Sequence, residues 1–253
     1  MKTASIIAAA KLAATGVVLA SGMAQAAEIK VLSSAAFREA YLELVPAFER
    51  ATEHKVAMTW AGTNGIMERM KRGETTDIVI MSAQGIDQLV QDGKIVAGSR
   101  IDVARSGVGV AVRSGLPKPD IGSTEALKRA LAAAKSVAYS TGPSGVYMEA
   151  LFRRLGIADE IKPKLKVAPG GTPVGTLIAK GEADIGFQQV SELLPVAGID
   201  YIGPLPPDIQ QITVFAAGLH TNAKETEAAK ALVKFLTAPE AAPVIRKKGM
   251  EPG

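Results

Sequence analysis

The stretch IKVLSSAAFREAYLELVPAFERA (29–51) decides the architecture. Its first five residues read as a strand. Residues 37–51 then place Phe37, Tyr41, Leu44, Val45 and Phe48 on one face at helical spacing, with Pro46 as a possible bend. Ser33-Ser34-Ala35-Ala36, which shares its first residue with the strand, is a short loop of the kind that opens a helix after a parallel strand. The same alternation continues outward. Strands are expected at 55–60, 77–81 (DIVIM), 105–112 (RSGVGVAV), 136–139, 165–167, 183–188 and 212–219. Helices are expected at 66–72, after a Ser82 cap, and at 123–134, 146–155, 174–180, 225–236 and 240–247. Residues 114–120 and 203–207 (GPLPP) read as Pro/Gly connectors. Both halves open with strand, loop and helix, and the 105–112 run suits a strand that crosses between them. The expected fold is therefore α/β, with two Rossmann-like lobes joined by crossing strands and a ligand cleft between them.

Composition narrows the chemistry. The 253 residues include no Cys and two His, which excludes disulfides, thiol nucleophiles and Cys-based metal centres, so no metal and no cofactor is expected. A net charge of +4 without clustered basic residues gives no reason to expect nucleic acid. Residues 1–26 combine Lys2 and Lys11, the apolar run LAATGVVLASG and Ala24-Gln25-Ala26, the three parts of a secretory signal peptide. Cleavage near Ala26 leaves residues 27–253 and halves the formal charge. The apolar run is too short to span a bilayer, and no membrane span is expected in the mature chain, so a periplasmic location follows.

Four strand-to-helix loops are rich in Ser, Thr and Gly: Ser33-Ser34-Ala35-Ala36, Ala61-Gly62-Thr63-Asn64-Gly65, Ser140-Thr141-Gly142-Pro143-Ser144-Gly145 and Gly170-Gly171-Thr172-Pro173. At the carboxyl ends of strands such loops offer N–H groups and hydroxyls to an anion, although each is also an ordinary helix cap. None is a P-loop, and no Gly-x-Gly-x-x-Gly opens a helix. Arg38 and Arg69 stand near two of these loops and can meet a carboxylate. Trp60 precedes the second loop. His54 and His220 receive no role.

The order of IKVLSSAAFREAYLELVPAFE, AGTNGIMERMKRGETTDIVIMSA, PSGVYMEALFRRLG, GEADIGFQQVSE and ALVKFLTAPEAAPVIRKKGMEP resembles the type II periplasmic solute-binding proteins, in the group related to the periplasmic molybdate-binding protein. The resemblance implies lobe 1 at 27–108 with 213–253, lobe 2 at 109–212, a small anionic ligand and an ABC-type importer as partner. It places the family's ligand contacts on Ala36, Thr63 and the backbone of Ser144. The fourth falls near Pro173, whose missing N–H passes the role to Val174, and the last, a tyrosine in the family, falls on Gln189. Ser33, Ser34, Arg38, Asn64 and Gly145 complete the candidate ligand set. Three of those five contacts depart from the family's donor chemistry, which leaves open a molybdate-like oxyanion or an organic acid. The alternative is an aconitate isomerase or a tricarboxylate-binding protein on the same fold, for which Glu39 and Tyr41 are the nominees as base. Tyr41 also fits the apolar face and Glu39 a solvated one.

Overall fold

The computed structural model describes residues 26–169 and 171–253. The expected signal peptide therefore lies, up to residue 25, outside the described residues. The first half runs β1 (Glu28–Ser34), a 3-10 turn, α1 (Arg38–Thr52), β2 (Lys55–Ala61), α2 (Thr63–Lys71), β3 (Ile78–Ser82), α3 (Ala83–Gln91) and β4 (Ile101–Arg113). Then come α4 (Thr124–Ala133), β5 (Val137–Tyr139), α5 (Pro143–Arg154), α6 (Ala158–Ile161), β6 (Leu165–Val167), α7 (Val174–Ala179), β7 (Ile185–Gln189) and α8 (Val190–Leu193). The chain closes with β8 (Ile199–Pro204), β9 (Ile212–Leu219), α9 (Thr226–Leu236), α10 (Ala242–Lys247) and β10 (Glu251–Pro252).

These strands form one mixed sheet in the order β2-β1-β3-β9-β4-β7-β5-β6, with β8 and β10 also paired to β4. β4 is the crossing strand. From Ile101 to Gly107 it pairs with β9, and from Val108 to Arg113 with β7 and β8. Alternation along the strands feeds separate cores on the two faces. In the first half Val31, Ile78 and Ile80 meet α1, α9 and α10, while Leu32, Val79 and Met81 meet α2 and α3. In the second half Val108, Val110, Met148, Phe152 and Phe187 fill one face, and Ala111, Ala138, Val174 and Ile178 the other.

The opening helix buries the face its spacing predicts, and Pro46 sits within it without ending it. Ser82 caps α3, its Oγ accepting from the Gly85 N–H at 3.3 Å. Two expectations shift. α2 and α5 begin three residues earlier than expected, because Gly62 and Gly142 take extended caps and Pro143 suits the first turn of a helix. Ser144 and Gly145 thus belong to helix rather than loop. Residues 199–204 are also strand and not only connector, since β8 lies on the outer side of β4, where Pro204 needs no ladder N–H. The short elements α6, α8 and β10 were not foreseen.

Both histidines are structural. His54 Nδ1 accepts from the Ala27 N–H at 3.1 Å, and the buried His220 Nδ1 accepts from the Asn222 N–H at 3.1 Å. Asp77 ties the first half together. Its carboxylate takes the N–H groups of Lys30, Lys224 and Glu225 at 2.8, 2.7 and 3.0 Å, joining β1 to the start of α9.

Candidate functional site

Strand-to-helix loops from both halves meet around a cavity of about 290 Å³. One wall comes from the end of β1 and the start of α1, with Ser34, Arg38 and Glu39, and from Trp60 and Ala61 at the end of β2 with Gly62 after it. The other comes from residues 140–143, from Pro169 and Thr172 before α7, and from Gln188, Ser191 and Glu192 where β7 turns into α8. The walls approach closely: a Cβ built on Gly62 lies 3.7 Å from Thr141 Oγ1. Trp60 packs edge-on against Tyr41, ring centroids 5.4 Å apart, so the indole joins the core to the cavity.

Of the candidate ligand residues, Ser34 and Arg38 line the cavity. Thr63, beside the lining Gly62, holds a buried Oγ1 with no hydrogen-bond partner among the described residues. The others lie outside the lining. Ser33 is fully buried, its Oγ donating to the Ser34 carbonyl at 3.1 Å. Ala36 is buried, and its N–H donates to Ser34 Oγ at 3.4 Å. Asn64 faces solvent. The buried Ser144 Oγ lies 3.3 Å from Ser140 Oγ, and Gly145 packs beneath the Ser140 carbonyl. The Val174 N–H, which was to replace the one Pro173 lacks, donates to Gln188 Oε1 at 2.7 Å.

Gln189 occupies the crossing between the halves. In the amide orientation that satisfies every partner, its Nε2 donates to the Ser106 and Gly107 carbonyls at 3.0 and 3.2 Å, and its Oε1 accepts from Thr213 Oγ1 at 3.0 Å. A side chain so engaged holds strands together instead of donating to a ligand. Of the nominated bases, Glu39 lines the cavity, whereas Tyr41 belongs to the core, with its hydroxyl donating to the Val56 carbonyl at 3.4 Å. Burial pushes that phenol up to about 12, which suits it still less to accept a proton. Arg69 pairs with Glu74 at 2.7 Å, away from the cavity.

Sequence reasoning passed over the pair Gln188 and Glu192, joined by a 2.8 Å hydrogen bond from Gln188 Nε2 to Glu192 Oε1. Burial pushes the Glu192 carboxyl up to about 7 from an ordinary 4.5, and the Gln188 hydrogen bond offsets only part of that. The residue keeps some surface because it borders the cavity, but its carboxyl is enclosed. Next to it, Ser191 is 2% exposed and its Oγ has no hydrogen-bond partner among the described residues. The available signal was positional: QQVSE marks the turn from a strand into a helix just as the four Ser/Thr/Gly loops do.

Glu192 makes stability pH-dependent with a definite sign. Between about pH 4.5 and 7 the folded state keeps the proton that the unfolded chain releases, so stability falls as pH rises through that window. Thermal melts of the wild type should show this slope and those of Glu192→Gln should lack its share. Equal slopes in the two proteins would remove the enclosed carboxyl from the account.

Among the described residues no helix is long and apolar enough to cross a membrane. The family model for bacterial extracellular solute-binding proteins matches residues 29–251. The chain is 38% identical over 230 residues to an aconitate isomerase from a Pseudomonas species, covering 88% of this chain and 87% of that one. It is 29% identical over 245 residues to the molybdate-binding protein of Azotobacter vinelandii, covering 93% and 94%. The solved structure of the Azotobacter vinelandii periplasmic molybdate-binding protein superposes with a TM-score of 0.75 at 19% identity, over 89% of this chain and 99% of that one. The two-sided cleft, the crossing strand and a family match over nearly all the described residues agree: this chain belongs to the bacterial extracellular solute-binding proteins.

Proposed function

We propose that the chain captures a small organic polycarboxylate of the aconitate kind in the cleft, in the periplasm after removal of residues 1–26. One observation carries this reading: the Ala36 and Val174 N–H groups and the Gln189 amide, three of the donors suited to a compact oxyanion, are already engaged within the protein, while Arg38 stands exposed in the lining. Among the described residues Arg38 has no carboxylate within 4.0 Å, so its guanidinium is available for a bidentate pair with a ligand carboxylate. The cavity also exceeds what a tetrahedral oxyanion of five heavy atoms fills. The isomerase among the relatives supports an enzymatic form of this reading, in which the captured aconitate is isomerised.

The change of partners along β4 between Gly107 and Val108 supports two lobes, 27–108 with 213–253 and 109–212, that close on the ligand about a hinge pinned by Gln189. Closed and loaded, a binding protein of this kind hands its ligand to an ABC-type importer.

Arg38→Ala is expected to weaken citrate or aconitate binding at least tenfold, equivalent to about 1.4 kcal/mol, and to leave the melting temperature of the empty protein unchanged. Arg69→Ala should leave affinity unchanged, since that side chain is already paired outside the cavity. Trp60 fluorescence and thermal shifts against both aconitate isomers, citrate, molybdate, tungstate and sulfate make the test. A ligand at about 100 times its dissociation constant stabilises by about 2.7 kcal/mol. The unpartnered Thr63 Oγ1 favours a second reading, capture of a molybdate-like oxyanion for the importer. Shifts with the metal oxyanions alone would establish that reading and end the polycarboxylate one.

A further inference from the structure

We propose that Glu192 carries the proton between two carbons of an allylic polycarboxylate bound in this cavity, and that Ser191 Oγ donates to one of the ligand's carboxylates. This rests on the polycarboxylate reading of the cleft and goes beyond it by naming the chemistry and the group that performs it.

The placement is specific. Glu192 lines the cavity, and Gln188 Nε2 holds Oε1 at 2.8 Å, which fixes the carboxyl while leaving Oε2 for a ligand. Gln188 is itself fixed, since its Oε1 accepts the Val174 N–H at 2.7 Å. On the same wall the Ser191 hydroxyl is buried without a partner among the described residues, a cost that a ligand oxygen would remove. The other charged groups lining the cavity are Arg38 and Glu39, both on α1, and the lining from residues 140–143, 168–169, 171–173 and 195–196 is neutral. Among the described residues Glu39 has no such clamp.

The chemistry needs one proton and no oxidant. On a propene tricarboxylate, ionised Glu192 takes a proton from the methylene carbon. The C–H electron pair becomes the new C=C bond, and the old π pair shifts to the former vinyl carbon, which takes the proton back from the Glu192 carboxylic acid. One C–H bond breaks and one forms. The double bond moves by one carbon, and its new geometry is set by how the cavity holds the carboxylates. A carboxyl whose pKa lies near the operating pH is suited to both half-steps. Arg38 would hold a ligand carboxylate.

The test follows cis-aconitate in deuterated buffer by proton NMR with the wild type, Glu192→Gln and Glu192→Asp, while Trp60 fluorescence gives each affinity and thermal melts show that each variant is folded. The expected result is formation of the trans isomer by the wild type, with a rate that follows a group titrating near 7. Glu192→Gln should lose isomerisation and deuterium exchange by about 100-fold or more, with affinity within a few-fold and no residual titration. Glu192→Asp keeps an acid one methylene short and should recover part of the rate. Wild-type turnover that survives Glu192→Gln would overturn the proposal, as would tight aconitate binding with neither exchange nor isomerisation, and in both cases the capture reading stands. Failure of the wild type to bind any polycarboxylate overturns the capture reading itself.

Discussion

Gly145→Ala is expected to lose about 3 kcal/mol of stability and to damage the cavity at the same time. Gly145 is the third residue of α5, and a Cβ built there lies 1.5 Å from the Ser140 carbonyl oxygen. That oxygen belongs to the main chain, so no side-chain rotation relieves the clash. Either the first turn of α5 unwinds or residues 140–142, which line the cavity, lift away. For a chain of this size the loss corresponds to a fall in melting temperature of roughly 6–12 °C. Gly62→Ala is the natural comparison, because its Cβ meets only Thr141 Oγ1 at 3.7 Å, an ordinary contact. Should Gly145→Ala melt with the wild type, the close approach of α5 to the loop beneath it is not present in solution.

Removing the Asp77 carboxylate should cost more. Asp77→Ala leaves three main-chain N–H groups, those of Lys30, Lys224 and Glu225, without the acceptor that now binds all of them. Hydrogen bonds to a charged acceptor contribute about 1.5–3 kcal/mol each, and partial hydration of the freed groups returns some of it, so a net loss of about 4 kcal/mol is expected. Part of that is the favourable placement of a negative charge at the start of α9. Asp77→Asn retains one acceptor oxygen and should lose about half as much. Urea unfolding with an unchanged slope would locate the effect in the folded state. A loss below about 1 kcal/mol for Asp77→Ala would mean that the joint between β1 and α9 depends on packing instead.

Much of the fold was legible because local chemistry and pattern agreed. IKVLS reads as a strand, its loop begins with serines, and the helix that follows repeats apolar residues at the spacing its core requires. The crossing strand was visible in RSGVGVAV, where small and branched residues alternate after Arg105. β8 was hidden by Gly203 and Pro204, which signal a turn unless a neighbour such as β4 is known to offer its outer side. α8, at four residues, covers barely one helical turn, too little for a repeat to show.

The site was legible as a set of loops but not as a set of free donors. Whether the Val174 N–H is available depends on Gln188, and whether Gln189 faces a ligand depends on Ser106, Gly107 and Thr213, which are remote in sequence. Glu192 stands in a polar run that reads as a solvated turn. Its carboxyl becomes unusual only because packing encloses it.

The position of β9 has a consequence for the order in which the molecule can be completed. It lies between β3 and β4, and apart from it the main sheet path has no ladder joining β2-β1-β3 to β4-β7-β5-β6. During synthesis the whole of both strand groups is made before residues 212–219 exist. Until then β3 and the Ile101–Gly107 end of β4 present open edges, the condition in which nascent chains pair with the wrong partner. The last sixth of the chain thus acts as the closing wedge of an arch: two flanks become one sheet, with a hinge between them, only when the final long strand is inserted.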